Sequence, residues 1–138
     1  MSHKTILQGL FIVWALWHLL FGLLSTFLPE LGAQISGWRP QDEWDADLLS
    51  LSTQYGMAML LLGLVFVISA IDPIRYFRIL WIAIAELILG IGYAFYIYLT
   101  IGGITISQVS IQGLINVIFI GVFLFLSSRL KNSASHSN

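Results

Sequence analysis

The sequence predicts an all-α integral membrane protein, a four-helix bundle with both termini cytoplasmic. Three observations predict it. Hydrophobic residues make up 58% of the 138-residue chain and charged residues 9%, where a soluble domain carries about 25% charge. Mean hydropathy is +0.89. Six basic and seven acidic side chains cannot cover a water-soluble fold of this size, but a bilayer removes that need by replacing water as the solvent. Secondly, the apolar residues fall into four runs of about 20 residues without period-two alternation, which favours helices over a β-barrel. Thirdly, the few charges are distributed unevenly, as argued below.

The first span is expected over residues 6–28, ILQGLFIVWALWHLLFGLLSTFL. At 1.5 Å per residue it reaches roughly 34 Å, enough to cross with some tilt. It exceeds the core of a cleaved signal peptide, and Phe27-Leu28-Pro29-Glu30 is a poor cleavage site, so it reads as a retained span. Pro29 marks its end. Residues 29–50 form an outer polar segment containing Asp42, Glu43, Asp45 and Asp47. Trp38 and Trp44 suit an interfacial position, and Trp44, Leu48, Leu49 and Leu51 can line one side of a short surface helix.

The second span is expected over 51–71, with Gly56, Met59 and Gly63 forming a helix-contact stripe. Asp72-Pro73 ends it, and the short link that follows makes spans two and three antiparallel neighbours. The third span covers 77–99. The neutral stretch TIGGITISQVSIQ reads as an exposed turn that dips into the interface. A fourth span follows at 109–128, then a disordered polar tail at 129–138. The whole chain, 1–138, is expected to be a single transmembrane domain.

In this arrangement Lys4, Arg75, Arg78, Arg129 and Lys131 lie on one side. The other side holds Arg39 with Glu30, Asp42, Glu43, Asp45 and Asp47. The positive-inside rule then makes both termini cytoplasmic. Without cysteine, disulfides and thiolate chemistry are excluded. The few bases form no nucleic-acid footprint. No cofactor and no metal site is expected: His3 and His136 lie in the tails, and no His pair or HExxH has ligand spacing. The acidic run at 42–47 lacks the calcium-loop pattern and reads as a solvated surface.

Two intramembrane residues carry the functional expectation. Glu86 lies roughly 14 Å, and His18 roughly 18 Å, from the cytoplasmic edge by helical rise. A carboxyl at such depth must be protonated, paired or in a wet cavity. It can relay protons, anchor a ligand, act as a catalytic acid, or hold helices together through a hydrogen bond. An imidazole nearby can share the proton. Spacing of three and four places Trp14, His18, Gly22 and Ser25 on one side of span one, and Glu86, Gly90, Tyr93 and Ile97 on one side of span three. Trp14, His18, Gly22, Glu86, Gly90 and Tyr93 are the expected ligand-binding residues. Gln54, Tyr55 and Asn116 are placed near the outer ends of spans two and four, at a mouth to the pocket.

The mid-helix His18, the Pro29-Glu30 step into an outer polar segment, the Asp72-Pro73 turn and the glycine-rich third span resemble small bacterial four-helix membrane proteins of the DoxX-like kind. The resemblance covers the plan of nearly the whole chain and implies location in a bacterial inner membrane more than an activity. Four short spans with one intramembrane glutamate are also similar to small multidrug-resistance transporters, with the glutamate in the third span here, in AIAELILG, instead of the first.

Three functions fit these features. The leading one is a non-enzymatic module that binds a hydrophobic or lipid-like molecule in an intrabundle pocket, or a subunit of a membrane complex. Its partners are then membrane lipids, a hydrophobic small molecule and a second copy or larger assembly. The others are a proton-coupled transporter using Glu86 and an intramembrane lipid- or isoprenoid-modifying enzyme with His18 and Glu86 as acid and base.

Overall fold

The computed structural model describes residues 3–36, 43–100 and 104–135, with side chains through Arg129. Its elements are α1 (His3–Phe27), α2 (Pro29–Ser36), α3 (Ala46–Ile71), a 3-10 turn (Phe77–Ile79), α4 (Leu80–Thr100) and α5 (Ile106–Ser135). No strand occurs among the described residues. Among the described residues, four helical stretches are long and apolar enough to cross a membrane: His3–Phe27, Ala46–Ile71, Phe77–Thr100 and Ile106–Arg129. This is the architecture of an integral membrane protein. Trp38, Arg39 and Asp42 lie outside the described residues, as does His136.

Packing groups the chain into two compact units, Gln8–Pro73 and Ile74–Asn138 with Met1–Leu7. In the first, α1 presents a buried stripe of Phe11, Trp14, His18 and Gly22. The buried stripe of α3 is Gly56, Met59, Gly63, Phe66 and Ala70. Both follow the three-and-four spacing that places residues on one helix face. Glycine permits the close approach. A Cβ at Gly22 would lie 2.9 Å from the backbone N of Leu60, and one at Gly56 would lie 2.7 Å from the backbone N of Thr26. The Ser52 hydroxyl donates to the Ser25 carbonyl across the same contact, at 3.1 Å. Gly56 and Gly63 thus act as the contact stripe that their spacing suggests.

In the second unit, α4 buries Leu80, Ala83, Ile84, Leu87 and Ala94. On α5 the buried residues are Val109, Asn116, Phe123 and Leu126. Large apolar side chains elsewhere on these helices remain exposed, including Trp81, Leu89, Ile111 and Leu114. Such a surface is stable in lipid, where apolar exposure carries no penalty and only the backbone must be satisfied internally.

Several boundaries differ from the sequence reading, each for a local reason. Pro29 does end α1, but it also opens α2, because a first helical position needs no N–H. Trp44, Leu48, Leu49 and Leu51 do not make a separate surface helix. Asp45 caps α3 by accepting the Leu48 N–H at 2.8 Å, so the spanning helix starts at Ala46 instead of residue 51. At the other connection, Thr105 and Gln108 form a reciprocal capping box. The Gln108 side chain accepts the Thr105 N–H at 2.7 Å, and the Thr105 hydroxyl accepts the Gln108 N–H at 3.3 Å. Residues 106–108 are therefore helix, and the expected exposed turn is shorter. Beyond residue 128 the backbone stays helical to Ser135 instead of forming a disordered tail. Leucine, arginine, lysine and alanine there are good helix formers.

Candidate functional site

His18 is the most buried polar group of α1, with no exposed surface. Its Nδ1 lies 2.8 Å from the Trp14 carbonyl, one turn earlier. A carbonyl can only accept, so Nδ1 carries a proton. The helix itself thereby sets the tautomer. Aromatic rings surround the imidazole. The Phe66 ring centroid is 5.2 Å away and that of Trp14 is 6.0 Å away, both tilted by 48°. Phe11 stacks on Phe66 at 6.2 Å and extends the cluster along α1. His18 thus sits fifteen residues into a helix beginning at His3, deep in an apolar span.

Gly22, expected beside this group, has a different task. The backbone and side chain of Leu60 and the carbonyl of Gly56 occupy the space its Cβ would need. Of the two roles open to a glycine here, close approach or room for a ligand, the structure shows the first. Ser25 likewise offers its carbonyl to Ser52. One further polar atom stands out at this crossing. The Thr26 hydroxyl is buried and has no hydrogen-bond partner. Ser69, fully buried on α3, avoids that state by donating to the Val65 carbonyl at 2.7 Å.

In the other unit, Glu86 is half-buried on α4, beside the contact with α5. Gly90 and Tyr93 share its side, as the spacing predicts. That side flanks the buried stripe through Leu87 and Ala94 instead of belonging to it. Tyr93 is 64% exposed, so its ring does not line an interior of this unit. Successive helix positions turn by about 100°, which carries residue 93 off the stripe set by residue 94.

Asn116 is the residue that sequence reasoning misplaced. It is buried, ten residues after the start of α5 and not near its end. Its amide nitrogen donates to the Leu87 carbonyl at 3.2 Å and would lie 3.4 Å from a Cβ at Gly90. Two signals pointed there: the Thr105–Gln108 capping box, which lengthens α5, and the heptad step from Val109 to Asn116 to Phe123. Gln54 and Tyr55 are exposed on α3, with Gln54 donating to the Ser50 hydroxyl at 3.4 Å. Among the described residues, each unit therefore holds an intramembrane polar centre. One is built on His18, with Trp14 and Phe66. The other comprises Asn116 against Leu87 and Gly90, with Glu86 one residue before Leu87.

No protein-family model, no curated protein and no solved structure matches the chain.

Proposed function

We propose that this protein is a non-enzymatic membrane module of the bacterial inner membrane that binds a hydrophobic molecule with a polar head group, alone or as a subunit of a larger membrane complex. The observation that carries the reading is His18. A fully buried imidazole deep in a span, its Nδ1 committed to the Trp14 carbonyl and its ring held among Trp14 and Phe66, is a polar handle in an apolar aromatic setting. Intramembrane ionisable groups are costly and mark ligand or proton sites. Glu86 is an ionisable intramembrane residue of the other unit, where the Asn116 amide donates to the carbonyl of the next residue, Leu87. The orientation is N- and C-termini in the cytoplasm, supported by Lys4, Arg75, Arg78, Arg129 and Lys131 against the acidic segment.

Native mass spectrometry of the protein extracted gently from its own membrane tests this. Wild type is compared with His18→Ala and with Glu86→Gln. A stoichiometric small molecule that is lost in either variant supports a binding site and supplies the ligand's mass. A protein partner or bare homo-oligomer, the same in all three proteins, overturns the ligand reading and leaves the subunit role.

A further inference from the structure

The short helix α2 has three faces, and each has a different chemistry. A Cβ at Gly32 would lie 3.2 Å from the Leu24 Cβ. Eight residues of straight helix would separate these positions by about 12 Å. The chain therefore folds back sharply at Leu28-Pro29, where proline interrupts the helical ladder, and α2 packs against the last turns of α1. Gly32 and Ala33, both buried, form the packed face, and their small side chains allow the close approach.

Leu28, Leu31 and Ile35 lie within about 60° of one another around the helix axis, and Glu30 and Gln34 within about 40°. The first group is an exposed apolar face, with Ile35 58% exposed, and the second is an exposed polar face. Their centres are about 115° apart, flanking the packed side. On α1, Leu16, Leu20, Leu23 and Phe27 form an exposed apolar stripe that runs directly into Leu28 and the apolar face of α2.

We propose that α2 is an interfacial helix whose Leu28–Leu31–Ile35 face inserts among lipid acyl chains at the membrane boundary, while Glu30 and Gln34 face the aqueous head-group layer. Continuity with the apolar stripe of a spanning helix argues for lipid as the occupant. The area argues the same way. The α2 face alone, three aliphatic side chains, falls well short of the roughly 800 Å² per partner that a stable protein interface needs, whereas lipid covers it together with the α1 stripe and requires no matching shape. An amphipathic helix at this boundary seats its apolar face about 5–10 Å into the head-group and acyl region. Pro29 sets the fold-back angle, and Gly32 lets the helix lie flat against α1.

The chain contains no cysteine, so single substitutions report cleanly. Leu31→Cys, Ile35→Cys, Glu30→Cys and Gln34→Cys are each labelled with an environment-sensitive fluorophore and reconstituted in phosphatidylcholine–phosphatidylglycerol vesicles. Quenching by spin-labelled lipid is compared with quenching by aqueous iodide. The ratio of lipid to aqueous quenching is expected to be on the order of 5-fold higher at 31 and 35 than at 30 and 34. Equal ratios at all four positions overturn the proposal, as does protection of 31 and 35 from both quenchers, which marks a protein-covered face. Unchanged helical circular dichroism shows that each labelled protein is folded, and the pattern does not depend on whether His18 or Glu86 binds a ligand.

Discussion

Gly22 and Gly56 meet back to back where α1 crosses α3. A Cβ on Gly22 would lie 3.0 Å from the Gly56 carbonyl oxygen, and one on Gly56 would lie 2.8 Å from the Gly22 carbonyl oxygen. Both obstacles are backbone and cannot swing aside. Either glycine to alanine is expected to destabilise the protein by about 1–3 kcal/mol, measured by reversible unfolding in mixed micelles. The double substitution should cost less than the sum, because the first pushes the helices apart for both. Gly92→Ala is the control, since nothing lies within 4 Å of its added Cβ. Equal losses at Gly22 and Gly92 would remove the crossing from the account.

Thr26 completes the same crossing with a buried hydroxyl that has no partner. Replacing it by valine keeps the shape and removes the orphaned group. Stability should stay level or rise by up to about 1–2 kcal/mol. A clear loss in the same unfolding assay would show that the hydroxyl is hydrogen-bonded in the membrane.

The His18 imidazole should show a proton on Nδ1 by nitrogen-15 solid-state NMR in bilayers. A spectrum with the proton on Nε2 and none on Nδ1 contradicts the bond to Trp14. His18→Ala removes a fully buried ring between Trp14 and Phe66. The cavity is expected to cost about 2–4 kcal/mol, by analogy with other large-to-small core changes.

Asn116→Ala removes a donor from a carbonyl that α4 already engages within its own helix. The loss should be modest, about 0.5–1.5 kcal/mol, in keeping with interhelical hydrogen bonds in other membrane proteins. Asn116→Leu tests the opposite side, since its bulk must fit next to Gly90. A loss several-fold larger for alanine would point to further work for the amide.

Orientation has its own test. Single cysteines replacing His3 and Ser128 should react with a membrane-impermeant maleimide only from the cytoplasmic side, and one replacing Glu43 only from the opposite side. Reactivity of positions 3 and 128 from opposite faces would break the even-span arrangement.

The sequence by itself determined the solvent. Four long runs without charge pairs leave no other medium for the chain, and their length and lack of alternation select helices. It also marked the glycine stripe at Gly56 and Gly63, and the placing of His18 and Glu86 within long apolar helices. Helix starts were less legible. Asp45 and the Thr105–Gln108 box were readable as caps, yet hydropathy outweighed them and placed both starts too late. Only the tertiary structure decided which small or polar residue has which task. Spacing puts Gly22 beside His18 on one face, but whether a glycine admits a ligand or a neighbouring backbone depends on what lies opposite, and here Leu60 and Gly56 fill the space. The same holds for Asn116, whose partner carbonyl at Leu87 lies 29 residues away, and for α2, whose return against Leu24 follows from an angle at Pro29 that periodicity does not encode. Local chemistry fixes an element and its faces; the meeting of two faces is a property of the packed chain.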